Sequence, residues 1–527
     1  MRAGKQAESA DAREKGLVVK LTVDNQLVTL AELRDAWREP VTVSLGKESR
    51  RKIAESNEFI DDVVAGGEQV YGVNTGFGQL AQVRISDDEL AHLQENLVKS
   101  HAVGVGEHLD DNIVRLVMLM KVIALAEGFS GVRLELVDAL CALINNEIYP
   151  CIPSQGSVGA SGDLAPLAHM AGVLIGIGEA RVNDTIVPAQ RALADAGIEP
   201  LQLAAKEGLA LLNGTQVSTA LALAAVFRAE NVLAASLLAG AMSADAIKGS
   251  DVPFDRRIHS VRGHGGQIAV AGVLRELMRG SEIRASHVEC SRVQDPYSIR
   301  CQPQVIGACL DVIRHVSNIL ETEANAVTDN PLVFAESRCV LSGGNFHAEP
   351  VAFAADYLAL AIAEIGALSE RRIALLIDSH LSGLPPFLVK EGGLNSGFMM
   401  AQVTAAALAS ENKSLAHPAS VDSIPTSANQ EDHVSMATFA ARRLHAMVDN
   451  VDGIVAIELL AAAQGIEFHR PQKSSPAIEH SIASLREISP SYVEDRTLSG
   501  DVKRIAAIID DGGFCEHAAS VLPSHNT

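Results

Sequence analysis

The sequence has few aromatic residues and little positive charge. Only 4% of its 527 residues are aromatic, so the core must be packed from small aliphatic side chains that let helices approach closely. The 65 acidic residues outnumber the 43 basic ones, which gives a net charge of −22. A chain with this charge lacks the electrostatic footprint of a protein that binds nucleic acid or an anionic membrane. We therefore expect neither partner, and a small molecule as the substrate.

Cysteine is also scarce, and its spacing excludes two common uses. The seven cysteines are odd in number and widely spaced, and no Cys-x-x-Cys pair occurs. This pattern is typical of neither a disulfide framework nor a zinc motif. Residues 1–16 are polar and contain no apolar core of a secretory signal, which favours a cytoplasmic protein.

Histidine offers a weak alternative for a metal site. His259, His264 and His287 lie in one region, but His259 and His264 are not four residues apart. No carboxylate or cysteine pattern accompanies them, so the sequence predicts no metal site.

The sequence contains no linker rich in Pro, Gly or Ser, so the predicted domain boundaries are approximate. Hydrophobic residues make up 47% of the chain. The expected fold is mainly α, a long-helix bundle with a smaller mixed N-terminal region that carries the active-site loops. Long helices are predicted at 217–248, 303–323, 349–381, 397–413 and 435–464. The predicted domains are a disordered extension (1–16), a mixed N-terminal domain (17–215) and a helical bundle (216–527).

The chain contains one motif that can turn its own backbone into an electrophile, the triplet Ala160-Ser161-Gly162. Without a Cβ, the Gly162 amide nitrogen can reach the carbonyl carbon of Ala160 and close a ring, and Ser161 can then lose water. The product is a 4-methylidene-imidazole-5-one. Chance supplies on the order of a few tenths of such a triplet in a chain this long. The alternative is a small-residue turn leading into a helix N-capped by Asp163.

Two loops carry residues that suit acid–base chemistry and anion binding. Tyr71 opens the glycine-rich loop 71–78, which is not a P-loop because no Lys-Ser/Thr pair follows. A tyrosine on such a loop can act as a general base. Arg300 lies in the polar segment 294–304 and can hold a carboxylate in a bidentate fork. An interhelix salt bridge is the alternative for Arg300.

Further polar residues are embedded in apolar stretches: His101 after Ser100, Asn213 in Leu-Leu-Asn-Gly-Thr, Phe346 in Gly-Gly-Asn-Phe-His, and Glu411. Buried polar groups need hydrogen-bond partners. Taken singly, His101 and Glu411 are more typical of hydrogen-bonded core residues than of catalysts.

Together, these segments resemble the aromatic amino acid ammonia-lyase and aminomutase family over roughly residues 20–510. Four motifs carry the resemblance: Tyr71-Gly-Val-Asn-Thr-Gly-Phe-Gly, Gly159-Ala-Ser-Gly-Asp-Leu-Ala-Pro-Leu, Leu212-Asn-Gly-Thr and Tyr297-Ser-Ile-Arg. Within the family, the members that act on histidine are the most similar. That likeness depends on Ser100-His101 and on the runs from Gln294 to Val305 and from Pro425 to Met436.

The resemblance implies a carbon–nitrogen lyase that eliminates ammonia from L-histidine to give trans-urocanate, the first step of histidine degradation. It implies a prosthetic 4-methylidene-imidazole-5-one formed from Ala160, Ser161 and Gly162, with no external cofactor. It also implies a homotetramer whose active sites each draw on three chains. Two alternatives stay open. One is a tyrosine or phenylalanine ammonia-lyase or aminomutase of the same family, and the other is a catalytically silent scaffold.

The resemblance also implies a role for each site residue. In the catalytic set, Tyr71 removes a β-proton, Arg300 clamps the α-carboxylate, and Asn213 and Tyr297 form hydrogen bonds around the ring and substrate. In the substrate-binding set, His101 and Glu411 contact the imidazole, and Gln294 and Phe346 complete the wall.

Overall fold

The computed structural model describes residues 19–67, 69–76, 85–286 and 293–525, and over these ranges the chain is mainly α, as predicted. Twenty α-helices and nine short strands occur in the described residues. The predicted extension 1–16 lies outside these ranges, as do His287 and Cys290.

Eleven of the helices lie between residues 30 and 277. They are α1 (Leu30–Arg38), α2 (Lys47–Gly66), α3 (Leu90–His101), α4 (Asp111–Ala126), α5 (Leu134–Asn145), α6 (Leu164–Leu174), α7 (Ala189–Asp195), α8 (Glu207–Leu212), α9 (Gln216–Ala246), α10 (Arg256–Ser260) and α11 (Gly265–Leu277). The remaining nine are α12 (Glu282–Ser286), α13 (Tyr297–Arg300), α14 (Gln302–Ala324), α15 (Glu349–Ile377), α16 (Ser379–Ser382), α17 (Met399–Leu415), α18 (Ala437–Glu467), α19 (Pro476–Ile488) and α20 (Ser499–Asp510).

The five long helices predicted from Ala- and Leu-rich segments are confirmed as α9, α14, α15, α17 and α18, each within a few residues of its expected bounds. Two of them, α9 and α15, are long and apolar enough to cross a bilayer by length and composition alone. Their most apolar windows are 94% and 61% buried inside the protein, which is the pattern of core helices.

The strands form small sheets of two or three strands. They are β1 (Val19–Val23), β2 (Val41–Leu45), β3 (Val105–His108), β4 (Tyr149–Pro150), β5 (Pro153–Gln155), β6 (Glu179–Val182), β7 (Thr185–Pro188), β8 (Leu332–Phe334) and β9 (Cys339–Leu341). β1 and β2 pair in parallel, with Val19 opposite Val41, and α1 connects them. Antiparallel pairing joins β4 to β6, β6 to β7, β3 to β5, and β8 to β9. The segment around Leu27, which resembles a strand in sequence, leads instead into α1, which Thr29 and Glu32 cap reciprocally.

The chain divides into two compact units. The N-terminal unit comprises the described residues up to 224 together with 318–354 and 419–442. The helical unit comprises those of 225–317, 355–418 and 443–527. The boundary expected at residue 215 stays a prediction.

Each unit has its own buried interior. In the N-terminal unit, every residue of α4 from Ile113 to Ala126 is buried, Arg115 and Lys121 included. In the helical unit, the buried Arg372 and Glu458 pair at 2.5 Å, and Ser243 and Ser369 each donate a 2.6 Å hydrogen bond to Glu458. Ala, Val, Leu and Ile make up most of the buried hydrophobic residues in the described chain, as the shortage of aromatic residues predicts.

Candidate functional site

The reactive triplet lies in a turn whose anchor is the buried carboxylate of Asp163. Asp163 occupies the N-cap position of α6, as the sequence suggests, but its side chain does not cap the helix. It accepts hydrogen bonds from Ser157 Oγ at 2.8 Å and Thr438 Oγ1 at 2.7 Å. Ser218 adds two more, from its amide at 2.7 Å and its hydroxyl at 2.9 Å. The four bonds tie the turn to the starts of α9 and α18.

Close approach of two backbone segments shapes the turn at Gly162 and Gly214. Gly162 has φ +77°, and a Cβ built there would lie 2.3 Å from the carbonyl oxygen of Gly214. Gly214 has φ +136°, and a Cβ there would lie 2.3 Å from Gln216 Oε1. The Asp163 amide donates to the Gly214 oxygen at 2.8 Å. Only glycine satisfies both the conformation and the space at these positions.

Asn213 connects the second segment to the triplet. Its Nδ2 donates a 2.7 Å hydrogen bond to the carbonyl oxygen of Ser161. Its Oδ1 is buried and has no hydrogen-bond partner in the described part of the chain. Lys121 supports the segment that carries Asn213. Its Nζ donates hydrogen bonds to the carbonyl oxygens of Asn213 at 2.7 Å and Ala210 at 3.1 Å. Burial lowers the pKa of Lys121 to about 7.

A cavity of about 880 Å³ in the N-terminal unit opens onto the triplet. The structure therefore brings together residues that the sequence scatters along the chain. Six of the predicted site residues line it: Tyr71, His101, Ala160, Ser161, Asn213 and Phe346.

Glu431 also lines the cavity, and the sequence-based reasoning missed it. The Ser161 hydroxyl donates a very short hydrogen bond to Glu431 Oε1. Thr426 and Ser427 donate to Oε2 at 2.6 Å and 2.8 Å. Burial acts to raise the pKa of Glu431, but these three hydrogen bonds and the nearby His101 outweigh it, so the pKa lies below its usual value. Glu431 is 270 residues from Ser161, and the only sequence signal was its place in the run 425–436.

His101 lies at the end of α3 with one ring nitrogen already engaged. Its Nδ1 lies 2.8 Å from the carbonyl oxygen of Leu97 and 3.0 Å from the hydroxyl of Ser100. A carbonyl only accepts, so Nδ1 carries the hydrogen. In the neutral ring Nε2 is then the acceptor, and it is the nitrogen left for a ligand in the cavity.

Four predicted site residues lie in the helical unit and do not line the cavity of the described chain: Gln294, Tyr297, Arg300 and Glu411. Tyr297 is 71% exposed, and the guanidinium of Arg300 lies 4.6 Å from the centre of its ring. Arg300 Nε is buried and has no hydrogen-bond partner among the described residues. Glu411 is exposed and accepts a 3.3 Å hydrogen bond from Asn450. The roles assigned to these residues stay predictions.

A protein-family model and several known proteins match most of the chain. The family model, described as aromatic amino acid lyase, matches residues 28–487. Histidine ammonia-lyase of Vibrio cholerae is 60% identical over 483 residues, which cover 92% of this chain and 94% of the relative. The corresponding enzyme of Aromatoleum aromaticum is 60% identical over 490 residues, 93% of each chain.

Two solved structures share the fold over nearly the whole chain. The crystal structure of histidine ammonia-lyase from Trypanosoma cruzi matches with a TM-score of 0.88 and 42% identity, over 96% of each chain. Tyrosine aminomutase from Streptomyces globisporus matches with a TM-score of 0.90 and 36% identity, over 95% of this chain and 99% of that one. The fold is therefore common to lyases and aminomutases and does not distinguish between them.

The contact between Gly162 and Gly214 predicts an asymmetry between two glycine substitutions. Gly162→Ala forces a Cβ against the backbone of Gly214 and should cost about 2 kcal/mol more than the same change at an open site. Gly197→Ala is the matched control, because Gly197 also has positive φ (+69°) but open space around it. Urea midpoints and melting temperatures measure the difference. Equal destabilisation by the two variants would contradict the packing argument.

Proposed function

The chain belongs to the aromatic amino acid lyase family, and from this premise we propose that it eliminates ammonia from L-histidine to give trans-urocanate. The observation that carries the proposal is the cavity that joins Ser161 to His101 and Glu431. It offers hydrogen-bond acceptors for an imidazole N–H beside the reactive triplet. The names of the relatives described above support the same substrate.

The residues around the triplet fit a 4-methylidene-imidazole-5-one built from Ala160, Ser161 and Gly162. Its formation joins the Gly162 nitrogen to the Ala160 carbonyl carbon and releases two water molecules, one from that carbonyl and one from Ser161. Asn213 supports the fit, because its Nδ2 already holds the Ser161 oxygen and its buried Oδ1 has no partner in the described chain. The group supplies an electrophilic carbon that takes up the substrate amine and makes it a better leaving group.

The chain's own side chains then bind the substrate and move its protons. Tyr71 lies on the cavity wall and takes the β-proton as general base. Asn213 stabilises negative charge that develops near the Ser161 oxygen. Loss of the Ser161 hydroxyl frees Glu431 Oε1, which then accepts the imidazole N–H. Thr426 and Ser427 continue to hold the other carboxylate oxygen in place.

Selection of imidazole over a phenyl ring follows from the same groups. A phenyl ring donates no hydrogen bond, so it would leave Glu431 and His101 Nε2 desolvated and unpaired. A site built to bond a substrate N–H discriminates against an analogue that lacks it by about 10⁴-fold. Phenylalanine, whose ring has no donor, should therefore be a poor substrate.

We further propose a homotetramer in which Tyr297 and Arg300 complete the cavity of another copy. The substrate carboxylate needs a cation, yet the described residues that line the cavity include neither arginine nor lysine. Exposed Tyr297 and the unpaired Nε of Arg300 support their use at such a contact. Gln294, also exposed, belongs to the same segment.

We propose that the enzyme works in the cytoplasm. The six cysteines in the described residues are all free thiols. Burial raises the pKa of Cys141 and Cys309 to about 12, so these two stay protonated and unreactive. A reducing compartment suits such a chain.

A substrate panel with wild type and Ser161→Ala tests the proposed reaction. We expect urocanate from histidine, at least about 10³-fold less product from phenylalanine, and none from Ser161→Ala. The wild-type peptide that contains Ser161 should be lighter by two water molecules in a mass spectrum. An unmodified peptide would support a silent scaffold, and a β-amino acid product on chiral chromatography would support an aminomutase.

Glu431→Gln, compared with Glu411→Gln, tests which carboxylate binds the imidazole. Because Glu431 contacts Ser161 directly, its variant should lose about 100-fold in kcat/KM for histidine with little change in melting temperature. Glu411→Gln changes an exposed side chain and should leave kcat/KM nearly intact. A loss confined to the Glu411 variant would overturn the assignment to Glu431 and favour the assignment drawn from the sequence.

Complementation between inactive variants tests the shared active site. Ser161→Ala and Arg300→Ala should each be inactive alone. If Ser161 and Arg300 at one site come from different copies, random hybrids of equal amounts regain about one quarter of the wild-type sites. Co-expression with two different affinity tags isolates the hybrids. Isolated hybrids without activity would place both residues in the same copy or exclude Arg300 from the site.

A further inference from the structure

Three side chains converge on the wall of the cavity and have no part in the chemistry proposed above: His347, Glu349 and His433. Glu349 Oε2 lies 3.9 Å from His347 Nδ1 and 3.8 Å from His433 Nε2. All three atoms lie within 4.8 Å of one another. Both histidines line the cavity, and Glu349 is the first residue of α15. We call these residues the His347 cluster.

In each histidine, the ring nitrogen that does not face Glu349 already lies near another polar group. His347 Nε2 lies 3.3 Å from the carbonyl oxygen of His433, so it must carry the hydrogen, and in the neutral ring Nδ1 turns a lone pair toward Glu349. His433 Nδ1 lies 3.3 Å from the hydroxyl of Ser423, which also accepts from the Val434 amide at 3.0 Å. Histidines that bind metals have this arrangement, with the outer nitrogen fixed by a carbonyl or another polar group.

The inner side of the His347 cluster has unsatisfied negative potential. Glu349 Oε2 is buried and has no hydrogen-bond partner in the described ranges. The two imidazole rings stack in parallel with their centres 5.7 Å apart. A cation bound between His347 Nδ1, His433 Nε2 and Glu349 Oε2 would give all three acceptor atoms a partner.

We propose that the His347 cluster binds a divalent transition-metal ion of the Zn²⁺ kind. Two imidazoles and one carboxylate favour such an ion over Mg²⁺ or Ca²⁺, which prefer oxygen ligands. Tetrahedral zinc with bonds of about 2.1 Å places its ligand atoms about 3.4 Å apart. The 3.8 Å and 3.9 Å separations therefore need to close by about half an ångström. Three protein ligands leave a coordination position open.

The open coordination position would let the ion take part in ligand binding. Because both histidines line the cavity, the ion can bind water, an imidazole or a carboxylate that enters it. Local spacing alone does not predict this site, since His433 is remote in sequence from the other two ligands. The histidine that the sequence did single out, His259, bonds through both nitrogens, to Pro253 at 3.0 Å and Gln267 at 2.9 Å.

Titration of the untagged, chelator-treated full-length protein with Co²⁺ tests the proposal without any activity assay. We expect saturable visible d–d absorption at one Co²⁺ per chain, abolished by one equivalent of Zn²⁺. His433→Ala, His347→Ala and Glu349→Gln should each weaken Co²⁺ binding by more than about 100-fold, and Ser423→Ala by about 10-fold. His433 is 69% exposed, so its removal should leave the melting temperature unchanged.

His480→Ala is the matched control, because His480 is an exposed histidine on α19. It should bind Co²⁺ like the wild type. No saturable binding by the wild type, or equal binding by wild type and His433→Ala, would overturn the proposal.

Discussion

The cavity depends on one constraint, the close approach of the backbone at Gly162 and Gly214. No other pair of residues would allow the Asp163 amide to reach the Gly214 oxygen at 2.8 Å, because a Cβ on either glycine would overlap neighbouring atoms. That contact brings Asn213 against the Ser161 oxygen. Asp163, fully buried with four hydrogen bonds, fixes the turn from the other side. The conformation of the triplet is therefore fixed by Gly162 together with the contacts that the surrounding segments make.

The fold was largely predictable because its signals are local. Ala- and Leu-rich periodicity marks a long helix wherever it occurs, and the five predicted helices have nearly the expected bounds. Aromatic scarcity likewise predicts close helix packing. The segment near Leu27 contains β-branched residues that are also typical of strands, but the Thr29–Glu32 capping box marks it as the approach to α1.

The site was predictable only in part, since its geometry depends on contacts between distant segments. Tyr71, His101 and Asn213 stood out because a known family shares their motifs, and all three line the cavity. Glu431 had no such mark, although the Ser161 hydroxyl donates directly to its carboxylate. Three hydroxyl donors and partial burial distinguish Glu431 from the exposed Glu411, and the donor from Ser161 cannot be inferred from spacing because it is 270 residues away.

Polar interactions behind the cavity show how the site tolerates buried charge. Lys121 is fully buried, and two main-chain carbonyls at the C-terminal end of α8 compensate it instead of a carboxylate. With a pKa near 7, it is only partly charged at neutral pH, so Asn213 is held by hydrogen bonds that persist when the amine is neutral. The neighbouring ammonium of Lys206 is instead neutralised by Asp329 at 2.6 Å. The loop that carries Asn213 is therefore supported through main-chain hydrogen bonds and a neighbouring paired charge, which together fix Asn213 beside the Ser161 oxygen.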